Sequence, residues 1–350
     1  MESVKENLVK LDINDLLSCL SDSTIQTKYK QNIQVQFKKF VDKTVDTRRK
    51  SSTIISMRDL HNWIKRTLIN VTRSFTKGNC HLLDIAVGRG GDLDKWNKAG
   101  ITSVFGFDAN EESIESNDPF NAGAKQRLST FNGLNVKVHF EVGNAIRPSN
   151  ILLNNIEQWL NGAPGFQIIS CQFALHYFFE KPDDLKILMT MISKYLVKGG
   201  FFIGTTTDGQ KIRNFFKARK TKEISKNLFN ITIDKYFKKD PYGNKYTFEI
   251  KDTFDQGNYF NTMGPSTEYI VDFEELQRVA SEHSLVPFNK NIFEPYTSNN
   301  KTDYPIGSNI TSFDNIYKLG KWEPKKGSRP INQDELELNG LYSSFIFQKV

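Results

Sequence analysis

Cysteine is scarce in this chain, and long apolar runs are missing. Its three cysteines, Cys19, Cys80 and Cys171, lie far apart, form no Cys-x-x-Cys pair and have no cluster of histidines near them. This spacing argues against a disulfide framework and against a metal site, and it favours a reducing compartment. No stretch approaches the ~18 consecutive apolar residues of a membrane span. We therefore expect a soluble protein of the cytoplasm or nucleus, with no metal and no membrane-bound segment.

Targeting signals and repeats are equally absent from the sequence. The charges of Glu2, Lys5 and Glu6 interrupt any early apolar run, so we expect no secretory signal peptide. The charge balance is modest, with 47 Lys and Arg against 40 Asp and Glu, a net charge of +7. This balance is in the direction expected for an RNA or DNA partner, although a basic soluble protein without such a partner fits equally well.

Residues 81–96 (HLLDIAVGRGGDLDKW) predict a strand, a turn of small residues and the start of a helix. The strand carries Asp84, the turn contains Gly88, and the helix opens at Asp92. Glycine allows backbone to approach a ligand closely, and the free N–H groups of a helix start favour an anionic group such as a carboxylate. About twenty residues further on, a second strand ends in Asp108, where an acid is placed to hold the two hydroxyls of a ribose.

Three classes of ligand use a turn of this kind. The dinucleotide fingerprint Gly-x-Gly-x-x-Gly fails, because counting from Gly88 gives Gly90 and then Leu93. The phosphate-binding loop fails as well, since no Gly-Lys-Ser/Thr closes the turn. The remaining class, S-adenosylmethionine, suits an acid-x-small-x-Gly loop followed by an acidic second strand. A structural turn that binds no ligand stays open as the alternative.

Strands and helices alternate through the middle of the chain with short turns between them. We predict strands over 82–85, 104–107, 135–142, 166–173 and 201–206, and helices over 57–75, 182–195 and from about 209. This alternation predicts a mainly parallel, doubly wound α/β sheet, in which ligands sit at the carboxyl ends of the strands. Four polar residues fall at those ends and form one candidate site: Asp84, Asp108, Asn144 and His176.

Two further segments differ in composition from this core. Residues 1–50 are polar and predict a lead-in with one or two helices. Residues 213–239 are strongly basic, and β-like runs over 228–236 and 245–254 flank a turn at 240–244. This pattern predicts a hairpin. A solvated insertion and a phosphate-contacting arm both fit the basic segment.

The C-terminal part of the chain predicts fewer elements. Asp272 is placed to cap a helix over 272–283. A loop rich in Pro, Asn and Gly at 295–308 and a polar stretch to Asn339 precede a last strand over 341–349. We therefore interpret the region before that strand as a connection.

Six segments, in this order, resemble the messenger-RNA cap guanine-N7 methyltransferases. They are RDLHNWIK (58–65), LLDIAVGRGGDL (82–93), SCQFALHY (170–177), GGFFIGTT (199–206), TEYIVDF (267–273) and GLYSSF (340–345). The glycine loop and the acid after the second strand alone would indicate only a methyltransferase. The pairing of Gln-Phe-x-x-His-Tyr with the later Glu-Tyr-x-Val-Asp-Phe is much more specific to cap enzymes. The resemblance covers most of the chain, from about Met57 to the C-terminus.

The resemblance implies a class I (Rossmann-like) S-adenosylmethionine-dependent methyltransferase with a doubly wound, mainly parallel, seven-stranded sheet. It implies a methyltransferase domain over 57–350, with a basic hairpin insertion around 213–265, behind a polar lead-in over 1–56. The implied reaction moves the methyl group of S-adenosylmethionine to N7 of the guanine cap of GpppN-RNA, with no metal. Because N7 loses no proton on methylation, proximity and in-line alignment are expected to drive the reaction.

Similarity to a viral member of the family carries further implications. The chain would be the C-terminal piece of a longer protein, fused to triphosphatase and guanylyltransferase domains that make the cap. The implied partners are capped RNA and these domains, with no membrane. The implied location is the host cytoplasm, with viral factories and the virion as narrower options.

The resemblance also assigns residues to the cofactor. Lys65 resembles the lysine at the methionine end, and Asp108 resembles the ribose-binding acid. Asn144 stands where the family usually has Asp near the adenine, and its amide oxygen is expected to accept from the adenine amino group. The implied cofactor-binding set is Lys65, Asp84, Ala86, Gly88, Asp92, Asp108, Asn144, Gln172 and Phe173.

A guanine pocket is implied in the same way. Glu268 has the right chemistry, because a carboxylate accepts from the N1–H and the amino group of guanine together, whereas adenine has no such pair of donors. A ring from the N-terminal segment, Phe40 or else Phe37, is expected to stack on the base. No residue is expected to act as acid, base or nucleophile, and alignment falls to His176, Tyr177, Glu268 and Tyr342. The implied cap-binding set is Phe40, His61, His176, Tyr177, Glu268 and Tyr342.

The chain departs from the family pattern at three further positions. Ala86 replaces the usual first glycine of the loop, which is tolerable only if this residue keeps φ below zero. His61 stands where Asn is common, and Lys198 stands where proline is usual. Two other classes of function stay open: a non-catalytic RNA- or cofactor-binding subunit, and a methyltransferase for another nucleic-acid position or for protein.

Overall fold

Residues 23–252, 265–288, 310–324 and 329–350 are described by the computed structural model of the chain. The chain divides into two compact units, 1–51 and 52–350. In the first unit the described residues form one helix, α1 (Ser23–Ser51), in line with the helical lead-in expected there. None of the described helices is both long enough and apolar enough to cross a membrane. Cys19 lies outside the described residues.

In the second unit, strands and helices alternate as the sequence predicts. The described strands are β1 (His81–Ile85), β2 (Ser103–Asp108), β3 (Lys137–Val142), β4 (Phe166–Gln172), β5 (Leu196–Thr207), β6 (Glu223–Ser225), β7 (Phe229–Thr232), β8 (Lys245–Ile250), β9 (Ser266–Tyr269), β10 (Leu285–Pro287), β11 (Ile310–Ser312) and β12 (Tyr342–Lys349). The helices after α1 are α2 (Ile55–Ser74), α3 (Leu93–Ala99), α4 (Glu111–Glu115), α5 (Ala124–Thr130), α6 (Asn150–Leu160), α7 (Pro182–Tyr195), α8 (Gly209–Arg219), α9 (Phe273–Glu282), α10 (Phe313–Lys318) and α11 (Gln333–Asn339), and a 3₁₀ helix spans Leu175–Phe179. The predicted helices are confirmed as α2, α7, α8 and α9, and Asp272 caps α9 by accepting from two backbone N–H groups.

The main sheet has the strand order β3-β2-β1-β4-β5-β12, and β10 and β11 pair with successive stretches of the outer edge of β12. Strands β1 to β5 are parallel to one another, and β12 runs antiparallel to β5. Eight described strands therefore fill seven positions. The predicted mainly parallel, doubly wound sheet is confirmed.

Both faces of this sheet are covered by helices, so its strands are apolar almost throughout. In β1, Leu82 packs into one core and Leu83 into the other, because successive side chains of a strand point to opposite faces. Ile64 and Leu68 of α2 cover the first face, and Leu188 of α7 covers the second. All five side chains are fully buried. The polar residues at the carboxyl ends of the strands are thus held by rigid, buried backbone.

A second, antiparallel sheet follows α8 in the order β6-β7-β8-β9. Its centre, β7 and β8, is the predicted hairpin, but both strands are shorter than predicted and end at Thr232 and Ile250. After Thr232 the chain becomes rich in lysine and then reaches Asp-Pro, which cannot continue a ladder. Strand β9 pairs with β8 and places Glu268 opposite Tyr246.

Two further predictions from the sequence are wrong, one strand boundary and one connection. Strand β5 begins at Leu196 rather than at residue 201, because Gly199 and Gly200 lie within the strand instead of ending the preceding helix. The polar stretch before Asn339 is not a simple connection, since it contains β11, α10 and α11. The two helices bury apolar residues, such as Phe313 of α10 and Leu338 of α11, whereas β11 is only half-buried and forms by pairing with β12. The predicted loop at 295–308 lies outside the described residues.

Candidate functional site

A cavity of about 310 Å³ opens at the carboxyl ends of β4 and β5. This volume is at the lower end of the range for ligand pockets. The cavity brings together seven of the residues predicted as cofactor or cap residues. Its lining is Met57, Arg58, His61, Asn62, Lys65, Phe173, His176, Tyr177, Thr207, Phe248, Ile250, Ser266, Glu268 and Tyr342.

Four parts of the fold build the walls of this cavity. Helix α2 presents His61 and Lys65, one turn apart on a single face. The connection after β4 and the 3₁₀ helix present a second wall, and the ends of β5 and β12 meet there because Thr207 pairs with Tyr342. The β8–β9 pair supplies the last wall, which carries Glu268.

Glu268 is a buried carboxylate held by two hydroxyl donors. Its Oε2 accepts from the Tyr246 hydroxyl at 2.6 Å, and its Oε1 lies 3.0 Å from the Ser266 hydroxyl, whose single proton it shares with Phe248 O, also at 3.0 Å. The Tyr246 hydroxyl also lies 2.7 Å from Thr207 Oγ1. Each carboxylate oxygen can accept more than one hydrogen bond, so both retain capacity for a ligand. Glu268 is therefore arranged to accept two N–H groups from one ligand.

His176 stands beside this carboxylate, with Nδ1 3.8 Å from Glu268 Oε2. Neither ring nitrogen has a hydrogen-bond partner among the described residues. Burial lowers the pKa of His176, and the charge of Glu268 opposes this only in part. The ring of Tyr177 lies 4.2 Å from the His176 ring and is 43% exposed. An unpaired buried imidazole is costly, so its nitrogens are ready for a ligand.

His61 forms part of an aromatic wall. Its Nε2 lies 3.1 Å from Asn339 Oδ1 on α11, and its ring stacks on Phe173 at 5.4 Å. Tyr342 meets the same ring edge-on at 5.2 Å. Burial lowers the pKa of His61 to about 3, and the charges of Lys65 and Arg58 act in the same direction. The imidazole is therefore neutral at physiological pH.

Asp84 lies buried in β1 with one oxygen, Oδ1, that has no hydrogen-bond partner in the described part of the chain. Burial raises the pKa of Asp84 to about 8. The negative charges of Asp92 and Asp108 add to this shift, while Ser170 and Lys65 oppose it. A buried acceptor in this state gains from a cationic ligand that supplies the missing donor.

Asp92 behaves in the opposite way. Its Oδ1 lies 2.7 Å from Lys65 Nζ and 2.6 Å from Lys95 Nζ. Burial by itself would raise the pKa of Asp92, but the two ammonium groups outweigh burial and hold the pKa well below its usual range. Since Lys65 also lines the cavity, this ion pair connects the glycine turn to the cavity.

The turn after β1 places backbone close to the ligand position expected from the sequence. The Gly88 N–H donates to Asp108 Oδ2 at 2.8 Å, and a Cβ built on Gly88 meets no atom within 4 Å. Ala86 has φ +58°, so the expectation that it keeps φ below zero is wrong. The conformation costs a non-glycine residue ~1–2 kcal/mol. The next N–H, of Val87, donates to Phe107 O, which anchors the turn to β2 in spite of that cost.

The two side chains predicted around ribose and adenine both contact backbone. Asp108 Oδ1 accepts from the Asn110 N–H at 2.8 Å, and burial raises the pKa of Asp108 although this bond and the one from Gly88 oppose the shift. Asn144 Oδ1 accepts from the N–H groups of Ile146 and Arg147 at 2.8 and 3.2 Å. Both lone pairs of that oxygen are engaged, so the expected acceptor role of Asn144 toward adenine does not fit the geometry.

The remaining predicted residues fall into two groups. Gln172 is tied within the sheet, since its Oε1 accepts from Thr205 Oγ1 and its Nε2 donates to Ser170 Oγ. Phe173 lines the cavity at φ +57°. Phe40 lies on α1 in the first unit, with its ring 46% exposed, and Phe37 on the same helix is half-buried. Their stacking role stays a prediction.

Sequence reasoning missed the hydroxyl donors around Glu268 and the support behind His61. Tyr246, Phe248 and Ile250 alternate along β8 and therefore point to the same face of the sheet. This pattern predicts that Tyr246 faces the site only once β8 is known to form one of its walls. Thr207 is the residue directly after the strand predicted over 201–206. Asn339 lies in a stretch with no apolar periodicity, so its contact with His61 left no signal.

These features fit S-adenosylmethionine. The turn offers an orphaned, buried carboxylate at Asp84 for an ammonium group, open space over Gly88, and Lys65 for a carboxylate. No three His, Cys, Asp or Glu side chains of the described ranges are grouped so that they would hold a metal ion. The donor set therefore suits an organic cofactor with both charges.

Comparisons with known proteins agree on one family. A family profile described as mRNA (guanine-N(7))-methyltransferase domain matches residues 22–350. The mRNA cap guanine-N(7) methyltransferase of Schizosaccharomyces pombe is 29% identical over 318 residues, which cover 86% of this chain and 78% of that protein. The Saccharomyces cerevisiae enzyme of the same name is 31% identical over 261 residues, covering 69% and 55%. The Cryptococcus neoformans enzyme is 26% identical over 304 residues, covering 87% and 39%.

The aligned region is only part of each of these relatives. The chain spans between about two fifths and four fifths of the length of these relatives. The strand order and the glycine turn agree with the class I fold of S-adenosylmethionine-dependent methyltransferases. Since the profile covers nearly the whole sequence, the chain belongs to the mRNA (guanine-N(7))-methyltransferase domain family.

Proposed function

We propose that this chain transfers the methyl group of S-adenosylmethionine to N7 of the guanine cap of GpppN-RNA. The observation that carries the proposal is the single cavity that joins Lys65, ion-paired to the glycine turn through Asp92, to the buried carboxylate Glu268. A cofactor at the turn and a base against Glu268 would then share one space. That proximity is the main requirement of methyl transfer between two bound molecules.

Guanine fits the wall around Glu268 better than the other bases do. Its N1–H and amino group are parallel donors on one edge, and Glu268 has lone pairs on both oxygens to accept them. Tyr177 and Tyr342 supply ring surface for the purine. His176 supplies a neutral imidazole beside the same edge. Adenine would bring an acceptor against the carboxylate and be rejected.

The residues of the chain align the reactants without exchanging protons. When bound, the cofactor supplies a methyl group that its positive sulfonium already activates. Burial keeps His61 and His176 neutral and raises the pKa of Tyr177 to about 12, with the charges of Glu268 and Asp108 acting in the same direction. Because N7 loses no proton on methylation, none of these groups is needed as a general base. Alignment is therefore the role proposed for His176, Tyr177, Glu268 and Tyr342.

The cofactor set is proposed around the turn. Asp84 and Lys65 would hold the methionine end, Gly88 backbone would pass beneath it, and Asp108 would hold the ribose hydroxyls. Asp92 would orient Lys65 rather than touch the cofactor, because it is already paired with two lysines. Ala86, Gln172 and Phe173 complete the proposed set together with Asn144, which would lie beside the adenine without accepting a hydrogen bond from it.

Replacing Asp108 with alanine should raise the Kd for S-adenosylmethionine by about 10- to 100-fold, the range expected for losing hydrogen bonds to a charged group. The change also frees the Gly88 and Asn110 N–H groups that position the turn. Isothermal calorimetry measures the effect. Asp94→Ala is the matched control, because Asp94 is exposed on α3 and pairs with Lys98 and Arg66 rather than with the backbone of the turn. Unchanged affinity in Asp108→Ala would remove Asp108 from the proposed site.

The basic segment is proposed to contact the RNA chain. The loop between β7 and β8 is fixed to the 3₁₀ helix that carries His176 and Tyr177, since the Gly243 N–H donates to Phe179 O. Tyr236 in this loop is 59% exposed. Three exposed lysines lie close to it in the sequence, Lys235, Lys238 and Lys239. Within the described residues, no carboxylate lies within 4 Å of these three lysines. An exposed ring among unneutralised lysines is suited to a single-stranded nucleic acid.

Changing Lys235, Lys238 and Lys239 together to glutamine should raise the KM for a capped 20-nucleotide RNA about tenfold at low salt. The KM for the dinucleotide GpppA should stay unchanged, because it has no RNA chain to contact. The slope of log affinity against log salt should fall by ~2, given ~0.7 per phosphate contact on single strands. A triple change of Lys98, Lys125 and Lys194 removes the same charge from lysines that are paired with acids elsewhere. Equal effects of both triple variants would exclude a specific RNA contact.

The proposal also includes a viral origin for the chain. The sequence resembles the methyltransferase domain of the African swine fever virus mRNA-capping enzyme, which would place residues 57–350 as the catalytic domain after a lead-in over 1–56. The chain would then be fused to triphosphatase and guanylyltransferase domains and work in the host cytoplasm. An antibody raised against this chain should detect a much longer polypeptide in infected cells. A band of only 350 residues would contradict the fusion.

Methyl transfer from labelled S-adenosylmethionine tests the function itself. GpppA- and GpppG-capped RNAs should both accept label, and the same RNAs with an uncapped 5′-triphosphate should not. Label on uncapped RNA would favour a methyltransferase for another position. Cofactor binding without transfer to any RNA would favour a non-catalytic subunit.

A further inference from the structure

The donors that hold Glu268 form a chain with a fixed direction. An ionised carboxylate only accepts hydrogen bonds, so the single proton of the Tyr246 hydroxyl is committed to Glu268 Oε2 at 2.6 Å. The contact of 2.7 Å between Tyr246 and Thr207 must then run from the Thr207 hydroxyl to the Tyr246 oxygen. The order is Thr207 to Tyr246 to Glu268. Each bond in such a chain polarises the next and strengthens it.

The fold fixes these three residues firmly. Tyr246 is 1% exposed and lies directly opposite Glu268 in the β8–β9 ladder. Thr207 is 2% exposed at the end of β5. Burial and the charge of Glu268 raise the pKa of Tyr246 well above its usual value, so the hydroxyl keeps its proton. The direction of the chain is therefore stable at physiological pH.

The arrangement limits how the carboxylate presents itself to a ligand. Tyr246 holds Oε2, whereas the single proton of Ser266 is shared between Oε1 and Phe248 O, so rotation of the carboxylate would break at least the bond from Tyr246. One lone pair of each oxygen is used inward, and the other is left for the ligand. A ligand needs two parallel donors to use both. Guanine has two, whereas hypoxanthine, the base of inosine, has only N1–H.

We propose that Tyr246, backed by Thr207, is a positioning residue that makes Glu268 read the exocyclic amino group of the cap guanine. Tyr246 itself does not touch the base; it holds the carboxylate in the orientation that accepts two donors at once. Without it, Glu268 still accepts one donor, but the second contact is lost. This inference rests on the proposed cap-methylating function and names what sets its base specificity.

The test compares kcat/KM for GpppA and for IpppA, the same cap analogue with inosine in place of guanosine. The wild-type protein should favour GpppA by about 10- to 100-fold, as expected when a buried polar contact is left unpaired. Tyr246→Phe should lower kcat/KM for GpppA about tenfold, mainly through KM, and change IpppA little. The G/I ratio should then fall by about tenfold, while the Kd for S-adenosylmethionine stays unchanged.

Tyr242→Phe is the matched control, because the Tyr242 hydroxyl also donates to a carboxylate, Glu275 Oε1, at 2.7 Å, outside the cavity. It should leave the ratio as in the wild type. If Tyr246→Phe fails to bind S-adenosylmethionine, Thr207→Val takes its place and should compress the ratio in the same direction by a smaller factor.

The outcomes separate the inference from the function it rests on. A Tyr246→Phe protein that loses activity on both caps by the same factor, or keeps the wild-type ratio, overturns the positioning role. A wild-type protein that methylates both caps equally well overturns the amino-group readout while the cap-methylating function stands. A wild-type protein that methylates neither cap overturns both.

Discussion

Glu268→Gln should lower kcat/KM for a GpppA-capped RNA by at least about 100-fold, with S-adenosylmethionine binding unchanged. The amide keeps one acceptor but turns a donor toward a guanine edge that consists of donors, so one hydrogen bond is lost and one N–H is opposed. Hydrogen bonds to a charged group contribute ~1.5–3 kcal/mol each, so the loss of one and the removal of the charge from the other account for the effect. Steady-state kinetics with RNA and calorimetry with the cofactor measure the two effects separately.

The control for this variant is Glu249→Gln. Glu249 lies on β8 and points to the opposite face from Phe248 and Ile250, which line the cavity. The same chemical change on the same sheet should leave kcat/KM within about twofold of the wild type, as for most surface substitutions. Full activity of Glu268→Gln would show that the buried carboxylate does not bind the cap, and the site assignment would be lost.

The affinity for S-adenosylmethionine should depend on pH through Asp84. The pKa of this buried acid is raised to about 8, so below pH 8 the unliganded protein carries a proton there. If the ammonium group of the cofactor needs the ionised acid, binding must release that proton. The affinity should therefore rise about tenfold per pH unit between pH 6 and 7 and level off near pH 8. Calorimetry in two buffers of different ionisation enthalpy should count close to one proton released at pH 6.5.

Asp84→Asn removes the titrating group and keeps the shape of the side chain. This variant should bind the cofactor more weakly, with an affinity that is flat over the same pH range and with no proton released. The groups that face Asp84 are Asp92 at the start of α3, Asp108 on β2, Lys65 on α2 and Ser170 on β4, and all of them are unchanged in the variant. A pH slope that persists in Asp84→Asn would assign the proton to another group.

The strand and helix pattern of the core was accessible from the sequence for a clear physical reason. Buried strands such as β1 are apolar almost throughout, and α2 and α7 repeat apolar residues on one face, so their periodicity is strong. Helix α11 shows where this fails. It buries Leu338 but also Glu335, which accepts from the Met57 N–H, and Asn339, whose Oδ1 lies against His61, and its polar composition resembles a loop.

The α11 helix nevertheless carried one local signal. Asn332 and Glu335 form a capping box, with the Asn332 side chain accepting from the Glu335 N–H and the Glu335 carboxylate accepting from the Asn332 N–H. The spacing of a cap residue and an acid three positions later marks a helix start even without apolar periodicity. What the sequence could not supply was the partner across the fold, namely the backbone of Met57 on α2.

The site residues also differ in how far the sequence could predict them. His176, Tyr177 and Glu268 belong to short motifs, and the structure brings them into one cavity. Tyr246 belongs to no motif, because its role depends on the register that sets it across from Glu268. Ala86 shows a limit of local rules, since a conformation that usually requires glycine is held here by the bond from Val87 to Phe107.

The most direct test of this account is the position of the transferred methyl group. A GpppA-capped RNA is incubated with S-adenosylmethionine and the wild-type chain, digested to nucleosides and analysed by mass spectrometry beside a Glu268→Gln reaction. The account predicts 7-methylguanosine from the wild-type reaction and almost none from the variant at the same enzyme concentration. A methyl group on a ribose, on adenine or on an internal base, with the cap guanine unmodified, would contradict it.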